Sequence, residues 1–183
     1  MNIERLKIQD VLLVTPKVFK DDRGYFFESF SEQHFFKHLK EGHKRFVQDN
    51  ESFSIKGVLR GLHYQTGAKA QGKLVRCVEG EIFDVAIDLR KSSLSFGQWV
   101  GAVLSRENFN QLWLPEGFAH GFLVLSDTAK VLYKATDYYD PTSEGSLIWN
   151  DPEVNISWPK LDVPILLSDK DLKAPFLKEA KHF

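Results

Sequence analysis

The sequence predicts an all-β fold, a sandwich or barrel of short strands, and three observations carry that prediction. Runs rich in Val, Ile, Phe, Trp and Tyr recur from Val58 to Thr136, separated by Gly, Asn, Pro, Asp and Ser clusters at the spacing such folds use. The clearest run, Ile82 to Leu89, alternates strictly. Phe83, Val85, Ile87 and Leu89 share one face, and Ile82, Asp84, Ala86 and Asp88 share the other. Helical periodicity is convincing in one place only.

That place is Ser31 to Lys40, with Ser31 as N-cap, Phe35 and Leu39 spaced i,i+4, and Gly42 as the stop, a helix peripheral to the strands. Glu79-Gly80-Glu81 reads as a hairpin turn into the Ile82 strand. From Asp140 onward the chain is dense in turn formers, Pro141, Gly145, Pro152, Pro159, Pro164 and Pro175, yet keeps Trp149, Ile156 and Trp158, which predicts an ordered, irregular wrap. No repeat, low-complexity segment or charge run marks a linker, so residues 1–183 are expected to form a single domain.

With 183 residues, 43% of them apolar and 13% aromatic, the chain can fill one core, and too much surface would prefer burial for it to be disordered. Its 24 Lys+Arg against 25 Asp+Glu leave no net field to condense it on nucleic acid or anionic lipid. The lone Cys77 allows no internal disulfide, and Glu4, Arg5 and Lys7 stand where a secretion signal needs apolar residues. Apolar runs such as Val11 to Val14 fall far short of the ~18 residues a membrane span requires. The expectation is a soluble, cytoplasmic protein with no nucleic-acid or membrane partner.

Ionisable groups inside strand patterns are the positions that packing does not explain. In Gly57-Val58-Leu59-Arg60-Gly61-Leu62-His63-Tyr64-Gln65, alternation puts Arg60 and His63 on opposite faces, but a bulge at Gly61 would bring both to one cavity. Taken alone, such a pair is more often a surface Arg and a satisfied His. Lys73 is in phase with Val75 and Cys77, and Tyr133 with Val131 and Ala135; a Lys can snorkel and a Tyr can simply pack. The Pro115-Glu116-Gly117 turn delivers His120 in phase with Phe122 and Val124, pointing it inward. Together, two imidazoles with Arg60, Lys73 and Tyr133 suit proton transfer beside an anionic ligand.

Gly57 to Gln65 resembles the first metal motif of the cupins, where Gly leads six residues later to His-x-His and then Glu. Here the second His is Gln65, and no Glu occurs from Thr66 to Gln71. Pro115-x-Gly117-x-x-His120 matches only the middle of the second cupin motif, with Val124 where Asn is expected. The resemblance implies a cupin-type jelly-roll β-barrel with a few short peripheral helices. A divalent ion needs about three or four ligands, and His63 and His120 lack a carboxylate at the usual spacing, although Asp84 and Glu28 leave that possibility open. No metal and no cofactor are expected.

Taken together, the segments resemble the dTDP-4-dehydrorhamnose 3,5-epimerase family. The likeness runs through Phe19 to Glu28, Gln48 to Ser52, Gly57 to Gln65, Gln71 to Arg90, Gln111 to Tyr133, Tyr138 to Pro141, Trp149 to Pro152 and Leu167 to Asp171. It implies His63 as base, held by Asp171, Tyr133 as acid on the opposite side of the sugar ring, and Lys73 as stabiliser of the enolate. It also implies that Arg23, Phe26, Glu28, Gln48, Asp49, Asn50, Arg60, Lys73, His120, Glu144 and Lys170 hold a dTDP-linked 4-keto-6-deoxy sugar, and that Tyr139 stacks on the thymine. A homodimer is implied as well. Removing a proton α to a ketone does need a base of near-neutral pKa and a cation at the developing oxyanion.

Two rival readings stand beside this one. A relative that inverts only one sugar centre would use the same acid and base, and a metal-binding or sugar-sensing cupin would turn nothing over. A purely structural barrel leaves Arg60, His63, Lys73, His120 and Tyr133 with no reason to coexist.

Overall fold

The computed structural model describes residues 1–39 and 41–183. In chain order its elements are β1 (Asn2–Arg5), β2 (Leu12–Thr15), β3 (Phe19–Asp21), β4 (Gly24–Phe26), α1 (Glu32–Phe35), β5 (Gln48–Ile55), β6 (Leu59–Gln65) and β7 (Lys73–Glu79). There follow β8 (Glu81–Asp88), β9 (Trp99–Ser105), β10 (Gln111–Leu114), β11 (Phe118–Val124), β12 (Thr128–Ala135), β13 (Glu144–Ser146) and α2 (Asp169–Leu172).

Two antiparallel sheets make the jelly roll, one in the order β1-β2-β10-β7-β12-β5 and the other β13-β6-β11-β8-β9, with β3–β4 as a separate hairpin. They face one another without closing into a continuous barrel. From β5 to β13 every connection except β8–β9 crosses between the sheets, so loops from both gather around a common interior. The Gly80 turn is therefore a corner and not a hairpin: β7 pairs with β10 and β12, while β8 pairs with β11 and β9. Gly80 has φ +75°, and a Cβ there would lie 1.9 Å from the Thr128 carbonyl oxygen, so the corner admits only glycine.

Three apolar layers follow from the alternation. Between the sheets lie Val75, Cys77, Ile82, Ala86, Leu104, Leu112, Phe118, Phe122, Val124 and Val131. The outer face of the second sheet, Leu62, Tyr64, Val85, Ile87 and Ala119, is covered by Leu147, Val154, Leu177 and Ala180 of the C-terminal wrap. The Ile82 strand is thus buried on both faces, and its second row of residues explains why Asp84 and Asp88 are wholly enclosed.

On the first sheet's outer face, Leu12, Val14, Leu74 and Trp113 are covered by Phe30, Phe35, Phe36 and Phe46. The segment carrying them is less helical than its periodicity predicts. Ser31 does cap it, its Oγ accepting from the His34 amide, but α1 ends at Phe35, a 3-10 turn takes Phe36–His38, and Leu39 is extended. Edge-on packing of Phe35 on Trp113, with ring centroids 5.6 Å apart, and of Phe30 on Phe46 sets the path in place of a continued helix. Lys40, the last residue of the expected helix, lies outside the described residues.

Candidate active site

The sequence places a glycine where β6 must break its alternation. In the pairing of β11 with β6, His120 faces His63 and Phe122 faces Arg60, with the register shifting between them. Gly61 takes φ +120°, and a Cβ on it would stand 2.7 Å from both the Gly121 Cα and the His120 carbonyl oxygen. The bulge turns Arg60 and His63 into the same cavity, which has a volume of about 480 Å³ and whose walls also include Lys73, His120, Tyr133, Tyr139, Glu144 and Asp171.

His63 is held from the far end of the chain. Leu166 bridges Val58 in parallel, with the Leu59 amide donating to its carbonyl, and this seats α2 beside β6. Ser168 caps α2 by accepting from the Asp171 amide, and the Asp171 carboxylate accepts from His63 Nε2 at 2.6 Å. Burial alone would raise the Asp171 carboxyl, but the hydrogen bond and charge of His63, with the Ser168 and Gly61 contacts, hold it below the usual carboxylate range. An ionised Asp171 fixes the proton on Nε2 and leaves Nδ1 as the basic atom of the partly exposed ring.

Tyr133 and Lys73 belong to the opposite sheet. Tyr133 on β12 has its hydroxyl pKa raised by burial, which Arg60 partly offsets, so it stays a protonated donor at neutral pH. Lys73 opens β7 with its Nζ 3.4 Å from the His63 carbonyl oxygen and 5.9 Å from the centroid of the Tyr133 ring. Burial lowers its pKa to about 8 against the pull of Asp84 and Glu144. His63 and Tyr133 therefore approach the cavity from different sheets, and Lys73 Nζ lies between the His63 backbone carbonyl and the Tyr133 ring.

His120 forms a second imidazole–carboxylate pair, Nε2 to Asp84 Oδ1 at 2.7 Å, almost wholly buried. The sequence marks Asp84 as a residual metal candidate; its structural partner is His120. Among the described residues no group of three or more His, Cys, Asp or Glu is placed to hold a metal ion. Arg60 Nε donates to Ser54 Oγ and its Nη2 to the Phe53 carbonyl.

The remaining expected residues are spread more widely. Glu144 lines the cavity and is paired with Lys170 at 2.5 Å, so Lys170 stands at the rim. Gln48 donates to Asn50 Oδ1 and accepts from the Tyr139 amide; Asp49 points to the outer face of its sheet and pairs with Lys134. Arg23, Phe26 and Glu28 do not line the cavity: Arg23 is 90% exposed and paired with Asp21, Phe26 is 71% exposed, and Glu28 meets His34. Ser52, Gln71 and Leu166 to Ser168 line it without having been anticipated. For Ser168 a signal existed, the Ser-x-x-Asp spacing of a helix start.

The family model described as dTDP-4-dehydrorhamnose 3,5-epimerase matches residues 5–179. A dTDP-4-dehydrorhamnose 3,5-epimerase of Salmonella typhimurium is 58% identical, over 98% of this chain and 97% of its own. The solved dTDP-6-deoxy-D-glucose-3,5-epimerase of Legionella pneumophila, in complex with dTDP-4-keto-L-rhamnose, is 50% identical with a TM-score of 0.93, covering 97% of this chain and 93% of that one. A 3′-monoepimerase from Streptomyces bikiniensis in complex with dTDP-quinovose is 34% identical with a TM-score of 0.87, covering 94% and 86%.

Proposed function

Because the chain belongs to the dTDP-4-dehydrorhamnose 3,5-epimerase family, we propose that its cavity inverts C3 and C5 of dTDP-4-keto-6-deoxy-D-glucose, giving dTDP-4-keto-L-rhamnose on the way to dTDP-L-rhamnose. The enzyme is an isomerase. The observation that carries the residue assignment is the placement of His63 and Tyr133 on opposing sheets across one cavity, with Lys73 Nζ between the His63 backbone carbonyl and the Tyr133 ring.

His63 Nδ1 removes the proton from a carbon beside the C4 ketone. The electron pair moves onto the ketone oxygen as an enolate, which the Lys73 ammonium stabilises in a site where burial strengthens its field. Tyr133 then delivers its phenolic proton to the same carbon from the other face, restoring the ketone with inverted configuration, and is reprotonated from solvent as His63 releases its proton there. Repeating the cycle at the second carbon completes the reaction. Proton removal and return leave the sugar's oxidation state unchanged, so the chemistry calls for no redox cofactor.

Arg60 and Lys170, with Arg23 if a second protomer brings it in, suit the diphosphate, His120 and Glu144 suit the sugar, and Tyr139, 57% exposed at the cavity wall, suits the thymine as a stacking surface. The β3–β4 hairpin exposes Phe19, Tyr25 and Phe26, and the edge strand β5 exposes Phe53 and Ile55. A homodimer covering these surfaces would give Arg23, Phe26 and Glu28 of one protomer a route to the other's cavity. Among the described residues no helix is long and apolar enough to cross a membrane, and a cytoplasmic setting belongs to the same proposal.

Turnover in deuterium oxide tests the reading. Label at both C3 and C5 of the product is expected; label at one carbon assigns a single-centre epimerase, and none defeats proton transfer altogether.

A further inference from the structure

Gln65 stands where a cupin would carry a metal-binding histidine, and it is 3% exposed at the end of β6. Its amide is used three times. Nε2 donates to the carbonyls of Lys69 at 2.7 Å and Tyr138 at 3.1 Å, and Oε1 accepts from the Asp140 amide at 2.8 Å. The last two bonds grip the peptide groups on either side of Tyr139, a residue that lies in no strand or helix between β12 and β13. The remaining N–H between them, that of Tyr139 itself, donates to Gln48 Oε1 at 3.0 Å. Side-chain amides thus fix the backbone of Tyr139, where a sheet ladder would ordinarily do so.

We propose that Gln65 is a positioning residue for nucleotide binding, setting the Tyr139 ring over the cavity mouth while taking no part in proton transfer. This rests on the reading of Tyr139 as the surface on which the base stacks. Only a primary amide offers two donors and an acceptor from one planar head. A carboxylate would set oxygen against two carbonyl oxygens, and an imidazole lacks the fork.

The test measures dTDP binding, KM and kcat for Gln65→Glu, Gln65→Met, Tyr139→Ala and the double variants with Tyr139→Ala. Both Gln65 variants are expected to weaken dTDP and raise KM by about tenfold with kcat kept within about twofold, since losing a stacking surface costs affinity and not chemistry. Combined with Tyr139→Ala, they are expected to weaken dTDP no further than Tyr139→Ala alone. Gln65→Met introduces no buried charge and carries the test if Gln65→Glu does not fold. The inference is overturned if the Gln65 variants bind dTDP like the parent while Tyr139→Ala does not, if their effects add in full to that of Tyr139→Ala, or if kcat falls as far as KM rises. Parental dTDP binding by Tyr139→Ala overturns the base-stacking reading, and this inference with it.

Discussion

His63 and Asp171, 108 residues apart in sequence, are joined Nε2 to Oδ1 at 2.6 Å. The contact selects one tautomer and leaves Nδ1 free. In Asp171→Asn the amide can present its N–H to Nε2, which favours the tautomer with the proton on Nδ1, the nitrogen proposed as the base. A fall in kcat of roughly 10²–10⁴-fold is expected, with the circular dichroism spectrum retained. Steady-state kinetics check it, and a variant within twofold of the parent would remove Asp171 from the mechanism.

Lys73 has to be protonated to stabilise an enolate, and burial places its pKa at about 8. The charged form is lost as pH rises, so kcat/KM is expected to fall about tenfold per pH unit well above that value. Lys73→Met should cost about 10²–10³-fold in kcat, the scale of a lost oxyanion donor. Lys73→Arg, whose guanidinium stays charged, should move the alkaline limb upward at a reduced maximum. A parental limb in Lys73→Arg would assign the ionisation to another group.

Gly61→Ala tests the bulge. A side chain at φ +120° is strained, and its Cβ meets backbone atoms at 2.7 Å that cannot swing away. Thermal unfolding should show a loss of about 2–4 kcal/mol, and activity should drop even where the protein remains folded, because Arg60 and His63 lose their common orientation. Retained stability and activity would show that the strand tolerates another register.

Asp88 contributes to acid stability away from the site. It is fully enclosed, and although burial alone would raise its carboxyl, bonds from Arg90, Ser93 and Ser95 bring the pKa down to about 2. A depressed folded value stabilises the protein above the ordinary value of 3.8 and is lost as pH falls toward about 2. The contribution is about 2 kcal/mol. Denaturant unfolding from pH 6 to pH 2 should show Asp88→Asn less stable at neutral pH, with a flatter acid limb; an unchanged acid limb would contradict the assignment.

What the sequence makes legible follows its local physics. Gly61 announces the bulge because a glycine interrupts an alternating run, and His120 follows from the Pro-Gly corner before it. The partnership of His63 with Asp171 has no local signal, since it depends on the C-terminal wrap docking beside Val58. The hairpin reading at Gly80 fails because turn chemistry shows that the chain reverses and says nothing of which sheet it enters. The helix from Ser31 is shortened because aromatic packing on Trp113 outweighs a weak i,i+4 pattern. Gln65 is visible as a missing ligand, but its use depends on the residues around Tyr138 to Asp140, 73 and 75 positions away.

If His63 and Tyr133 work on opposite faces of one sugar ring, incubating substrate in deuterium oxide with His63→Ala and Tyr133→Phe separates their two roles. Tyr133→Phe keeps the base, so deuterium should enter beside the ketone with configuration retained and inversion nearly abolished. His63→Ala should incorporate no label. Inverted product from Tyr133→Phe at the parental rate, or label taken up by His63→Ala, would show that the two residues do not divide proton removal and return between them.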